Sequence, residues 1–189
     1  MVGILALQGA YQKHYDMVKS IGENAMFVRS IEDLSSIDAM ILPGGESTTI
    51  GKLLDWYGLL NPLKQRIEAG MPTLGTCAGM IMLAKETENH QPNLLEVMDI
   101  KVERNAYGAQ IESFETDIDV KGFYSPFPAI FIRAPKITQI GDNVEVLAEH
   151  NGTPILIKER NIIAASFHPE LTNDDRIHKL ILSNISSIK

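Results

Sequence analysis

Residues 2–7 form a short, uninterrupted apolar run that stops at Gln8 and Gly9. Such a run reads as a buried strand feeding a turn. The period then changes: His14, Met17, Val18 and Ile21 recur at helical spacing and Gly22 follows as a stop signal, so an amphipathic helix is expected next. Residues 25–28 and 38–42 are two further strand-like runs, the second entering Pro43, Gly44 and Gly45. Helical spacing returns over 48–57 and again to 69, before Gly70 and Pro72 punctuate the chain. Residues 72–76 read as a fourth strand, with 78–85 as the helix behind it.

This alternation predicts an α/β chain: a three-layer domain with a mainly parallel central sheet flanked by helices. The second half differs. Residues 100–103, 109–116, 129–132, 144–148, 155–159 and 162–167 are strand-like without long helices between them, so extra antiparallel strands are expected on the same core. Asn173 or Asp174 can cap a last helix whose Ile177, Leu180, Ile181 and Ile185 make one apolar stripe. No repeat, linker or low-complexity tract appears, and the expectation is a single domain over 1–189.

Composition agrees with a globular chain and removes several function classes. Of 189 residues, 44% are hydrophobic and 22% charged, which excludes disorder and fibrous repeats as starting points. Seventeen basic against 24 acidic residues give a net charge of −7, with no footprint for nucleic acid. No stretch reaches the roughly 20 apolar residues that span a bilayer. The apolar N-terminus has no basic residue before it and breaks at Gln8, so it does not read as a signal peptide and a cytoplasmic setting is expected. A single cysteine, Cys77, excludes an internal disulfide and a multi-cysteine zinc site.

That cysteine lies in GTCAG (75–79), between a predicted strand and a predicted helix, in the form of a nucleophile elbow. Small flanking residues permit the sharp turn, which presents the Cys77 side chain at the sheet edge beside free helix N–H groups. The helix dipole and a nearby base favour a thiolate, and the Ala78 N–H can stabilise an oxyanion. A lone cysteine is more often a small buried hydrophobe; the elbow context is what reverses that reading.

A cysteine nucleophile needs a base held by a third group. Of five histidines, His168 has a partner in sequence: Glu170 is two residues on, and in an extended segment both project to one side. His14 and His178 on amphipathic helices, and His90 and His150 in polar turns, are expected as solvated residues. The result is a candidate triad of Cys77, His168 and Glu170.

PGGEST (43–48) follows a strand and precedes a helix, but the Gly45-to-Gly51 spacing and Leu53 after Lys52 do not make a phosphate-binding Walker loop. Two readings stay open for it. One is a tight turn with a helix cap from Ser47; the other is a second oxyanion donor, the Gly45 N–H, facing Cys77. Arg104 and Arg133 are also open between an internal salt bridge and a substrate carboxylate.

Taken in order, LALQG (5–9), PGGEST, GTCAG, Arg104 with Asn105, Ser113 with Phe114, FIRAP (131–135) and FHPEL (167–171) resemble the class I-type triad glutamine amidotransferases. Within them, LALQG, FIRAP and FHPEL narrow the resemblance to the glutaminase branch that serves pyridoxal 5′-phosphate synthase. The resemblance spans the chain and implies a flavodoxin-like fold with Cys77 as nucleophile, His168 as base and Glu170 as orienter. It also implies glutamine held around Gly45, Glu46, Ser47, Arg104, Ile132 and Arg133. One departure stands out: where that family usually has Arg in RNxxGRQ, Ala109 lies between Gly108 and Gln110.

The activity so implied is hydrolysis of L-glutamine to L-glutamate and ammonia through a Cys77 thioester, with no metal and no cofactor. The implied partner is a (β/α)8-barrel synthase subunit that takes the ammonia for pyridoxal 5′-phosphate (vitamin B6) synthesis. Gln8 and Gly9, at the end of the first strand, are the candidate docking residues. Two other classes remain: a stand-alone cysteine hydrolase of γ-glutamyl substrates, and a non-catalytic interaction subunit.

Overall fold

The structure, a computed structural model, describes residues 1–89, 93–104 and 113–185. The first apolar runs become strands β1 (Val2–Leu5), β2 (Ala25–Val28), β3 (Ala39–Leu42) and β4 (Thr73–Thr76). Between them lie helices α1 (Tyr11–Ser20), α2 (Ile31–Ser35), α3 (Ser47–Trp56) and α4 (Leu60–Glu68). Then come α5 (Ala78–Leu83), β5 (Ala84–Thr87), β6 (Met98–Glu103), β7 (Ser113–Ile118), β8 (Phe127–Ile132) and β9 (Lys136–Ile140). The chain continues through β10 (Glu145–His150), β11 (Thr153–Glu159), β12 (Ile162–Ala165), a 3-10 turn (Pro169–Leu171) and α6 (Arg176–Ile185).

The central sheet runs β10-β11-β12-β4-β3-β1-β2. From β12 to β2 every pairing is parallel, and β11 and β10 continue the sheet antiparallel. Its inner strands β1, β3, β4 and β12 are buried on both faces because both faces are covered. In β3, Met40 and Leu42 face a core shared with α3, α4, α5 and the small sheet β5-β6-β9. Ala39 and Ile41 face the other core, shared with α1, α6 and the hairpin β7-β8. Removing a side chain such as Ile41, fully buried here, is expected to cost roughly 2–5 kcal/mol.

The departures from the sequence-based expectations have local causes. Helix α2 is too short to show a period; a reciprocal capping box between Ser30 and Asp33 holds it. The two helical stretches expected up to residue 69 do form, as α3 and α4, separated where Gly58 takes φ +66°. The helix behind β4 stops at Leu83, and residues 84–87 become β5, paired parallel with β6. In β9 only Ile137 is buried, so no alternation announces it. Of the strands expected as antiparallel additions, β10 and β11 extend the central sheet antiparallel, but β12 lies inside it, parallel to β4, and β6, β7 and β8 belong to two small sheets packed one on each face. Residues 109–112 of the predicted strand lie outside the described residues.

Parallel strands deliver their C-terminal ends to one edge, where α/β sheets bind ligands. Here β1 leads into Gln8 and Gly9, β3 into Gly44 and Gly45, β4 into Cys77 and β12 into His168.

Candidate active site

Cys77 sits between β4 and α5 with φ +50° and ψ −105°, a conformation costing about 1–3 kcal/mol that persists only where its surroundings enforce it. They do. The Cys77 N–H donates to the Ala165 carbonyl of β12 at 2.8 Å, and the Cys77 carbonyl accepts from Met80 at 3.1 Å to start α5. The flanking glycines are forced by close approach: a Cβ on Gly79 would overlap the Leu42 carbonyl oxygen, and one on Gly75 would lie 2.5 Å from Leu83 Cδ1. The side chain is nearly buried, with Sγ 3.8 Å from the Ile132 carbonyl oxygen. Ala78 opens α5, whose first N–H groups have no acceptor within the helix.

His168 leaves the end of β12, and its N–H donates to the Ile130 carbonyl at 2.8 Å. Its Nδ1 is 2.8 Å from Glu170 Oε1, and both side chains are buried. The predicted pairing therefore forms, by a different route: Glu170 lies in the 3-10 turn rather than in an extended segment. Burial works against the His168 imidazolium, but hydrogen bonds to Cys77 and Glu170 outweigh it and raise the pKa to about 10. Burial likewise pushes the Glu170 carboxyl up, and His14 and His168 beside it bring it below its ordinary value. The structure thus brings Cys77, His168 and Glu170 into one connected group.

Two histidines expected in solvent are not there. His14 and His178 are both fully buried. His14 Nδ1 is 2.9 Å from His178 Nε2, and His14 Nε2 is 3.1 Å from Thr76 Oγ1 and 3.4 Å from Glu170 Oε2. The signal is present in the sequence: His14 shares the buried stripe of α1 with Val18, four residues on. Burial lowers the pKa of His14 against the pull of Glu170, and burial followed by the proximity of His14 lowers His178 to about 3. His150 is half-buried at the end of β10 near Phe114 and Phe131, and His90 lies outside the described residues.

The PGGEST loop closes over this group. A Cβ on Gly44 would come within 2.5 Å of His168 Cε1 and 3.5 Å of Cys77 Cβ, so the loop backbone lies directly on the triad. The Gly44 carbonyl accepts from the Ala10 N–H at 3.0 Å. In a trans peptide this aims the Gly45 N–H away from Ala10. Gln8 Oε1 accepts from the Glu46 N–H at 2.8 Å, and a Cβ on Gly9 would overlap the Gly44 carbonyl oxygen. Gln8 and Gly9 therefore support the loop, and Gly9 is exposed.

The helix cap expected from Ser47 comes instead from Glu46, whose carboxylate accepts from the Thr48 and Thr49 N–H groups at 3.0 and 2.7 Å. Ser47 is the buried first residue of α3. Arg104 reaches the same place from the end of β6, donating to Glu46 Oε1 and Thr48 Oγ1 at 3.0 Å each. Partial burial raises the Glu46 carboxyl, but donors from Thr49 and Thr48 hold it down at about 2. Arg133, at φ +46°, is exposed just beyond Ile132, and among the described residues it has no ion-pair partner. Of its two sequence readings, the internal salt bridge is thus not observed. Ala109 lies outside the described residues. Among the described residues no cluster could hold a metal ion, and no helix is long and apolar enough to cross a membrane.

Comparison with known proteins agrees with this geometry. Over 97% of its length the chain is 48% identical to the pyridoxal 5′-phosphate synthase subunit PdxT of Thermosipho africanus, covering 98% of that protein. It is 50% identical to PdxT of Haemophilus ducreyi over 97% of the chain and 96% of the relative. A solved glutamine amidotransferase superposes with a TM-score of 0.93 at 45% identity, covering 98% of each chain. The solved PurLQS of Thermotoga maritima, at 14% identity and TM-score 0.69 over 99% of this chain and 97% of the matched one, shares the fold. The model of the SNO glutamine amidotransferase family matches residues 4–187, and the chain belongs to that family.

Proposed function

We propose that the chain is the glutaminase of a pyridoxal 5′-phosphate synthase, hydrolysing L-glutamine to L-glutamate and ammonia. The observation that carries the reading is Cys77 held at positive φ on its elbow, with His168, paired to Glu170, beside it under Gly44.

In this reading the Cys77 thiolate attacks the side-chain amide carbon of glutamine. The oxygen becomes an oxyanion, for which the Ala78 and Gly45 N–H groups are the donors. The His168 imidazolium gives its proton to the departing nitrogen, the C–N bond breaks, and ammonia leaves a thioester on Cys77. A water then loses a proton to His168 as it attacks the thioester, and glutamate departs as the thiolate is restored. Glu46, Ser47, Arg104, Ile132 and Arg133 ring the position of the substrate's amino-acid end. The ammonia acceptor is a (β/α)8-barrel synthase subunit docking near Gln8 and Gly9, and the complex works in the cytoplasm.

The test is ammonia release from glutamine by the chain mixed with a synthase subunit, beside cleavage of a γ-glutamyl peptide by the chain alone. The reading expects release with the first and little cleavage of the second. A glutamine-like chloroketone should label Cys77 once per chain, and free glutamine should slow the labelling. Wild-type ammonia release from Cys77→Ala would overturn the mechanism.

A further inference from the structure

The buried group does not end at Glu170. Its Oε1 is engaged by His168, while Oε2, sealed from solvent, makes no hydrogen bond, and the nearest nitrogen facing it is His14 Nε2 at 3.4 Å. His14 itself bridges three elements: Thr76 at the end of β4, Glu170 in the 3-10 turn, and His178 on α6.

The proton positions follow by elimination. Were His14 protonated at Nδ1, its Nε2 lone pair would face the Glu170 carboxylate, and His178 would carry an N–H at Nδ1, where it has no acceptor. With the proton at Nε2, the His14 N–H lies between Thr76 Oγ1 at 3.1 Å and Glu170 Oε2 at 3.4 Å, and Nδ1 accepts from His178 Nε2–H. The orphaned His178 Nδ1 is then a bare lone pair, a smaller penalty than a buried N–H or a repelled carboxylate. Both rings are neutral in this arrangement, as their burial demands.

We infer that His14 is a positioning residue of the triad, donating from Nε2 to Glu170 Oε2 so that the other carboxylate oxygen stays on His168. This rests on the glutaminase reading above only for its kinetic consequence. The groups facing Glu170 are His168 on its own segment, His14 from α1, and beyond it His178 from α6 and Thr76 from β4; Cys77 follows Thr76. Without the His14 donor, the buried carboxylate either turns from His168 or takes up a proton. Both outcomes remove the negative partner of the imidazolium, so the His168 pKa falls. The alkaline limb of kcat/KM, where His168 loses the proton it must deliver, then moves to lower pH.

The experiment compares His14→Phe, His14→Gln and His14→Asn in the complex with a synthase subunit, and follows His168 by NMR titration in each chain. A Gln amide nitrogen reaches the place of Nε2, whereas that of Asn reaches only the place of Nδ1. We expect His14→Phe to lose about 10- to 100-fold in kcat with little change in KM, as when outer-shell partners of a ligating histidine are removed. His168 should titrate lower in His14→Phe, and Gln should restore both properties better than Asn. Wild-type kcat and His168 titration in folded His14→Phe would overturn the inference. Should His14→Phe not fold, equal behaviour of the Gln and Asn variants would do the same. If the wild type releases no ammonia, the glutaminase reading fails, while the His168 titrations still decide the role of His14.

Discussion

Gly44 and His168 are in direct contact: a methyl group on Gly44 would sit 2.5 Å from Cε1 and 3.0 Å from Nδ1 of the ring. Gly44 does not adopt positive φ, so alanine there strains no backbone and must displace either the ring or the loop. Gly44→Ala is expected to reduce kcat about 10²-fold, the scale of a misplacement near 1 Å, with a small change in melting temperature. Ammonia release and a thermal melt check it; full activity would mean that the ring yields without consequence.

The triad residues are expected to act as one unit. Cys77→Ala should abolish ammonia release, and His168→Asn should reduce it by several orders. Glu170→Gln should reduce it by less, since it removes the partner and leaves the base. Adding Glu170→Gln to His168→Asn should cost little more. Additive losses in the double variant would show that the two residues contribute separately.

Stability should depend on pH through the buried histidines. The folded pKa of His168 is raised to about 10 from 6.5, so its contribution is full below 6.5 and is lost as pH rises through 10. His178, depressed to about 3, acts in the other direction: its contribution is present above 6.5 and is lost as pH falls toward 3. Melting temperature should therefore decline on both sides. Glu170→Gln should flatten the alkaline decline, and His178→Phe the acid one. Unchanged slopes in both variants would assign the decline to other groups.

Glu46 combines two roles that substitutions can separate. Glu46→Ala removes the N-cap of α3 and the carboxylate that Arg104 holds, so it should cost roughly 0.5–2 kcal/mol of stability and raise KM for glutamine. Arg104→Gln leaves the cap in place and should raise KM with little loss of stability. Denaturant melts and KM measurements on the two variants test this split.

Gln8 links the proposed docking surface to the loop above the triad, because its side chain holds the Glu46 N–H. Gln8→Ala should weaken any gain in ammonia release on adding a synthase subunit more than it weakens the rate of the chain alone. Equal rates with and without the subunit, in wild type and variant, would show a site already complete in the free chain.

The sheet and the triad are more legible in the sequence than their surroundings. Continuous apolar runs identify β1 and β3 because both sheet faces are covered, and the small residues of GTCAG mark a turn that larger ones would forbid. Strand β9 is illegible because only Ile137 of its five residues is buried. The Glu46 cap escapes a sequence reading because the shorter Ser47 side chain beside it is the commoner capping type. His14 misleads for a different reason: its polarity alone suggests solvent, while its partners come from residues 76, 170 and 178, which only the fold brings together.

The contacts of Gly9 with the Gly44 carbonyl and of Gly79 with the Leu42 carbonyl have a consequence for mutational tolerance. At these places main chain touches main chain, and no rotamer change can make room. The smallest side chain that heredity can introduce there, a single methyl, is already too large, whereas an apolar position such as Leu63 can accept other aliphatic groups of similar volume. A library of random variants screened for ammonia release should thus show two kinds of sensitive position. One kind is graded by side-chain size and rescued by lower temperature; the other is all-or-none, confined to glycines, and indifferent to temperature.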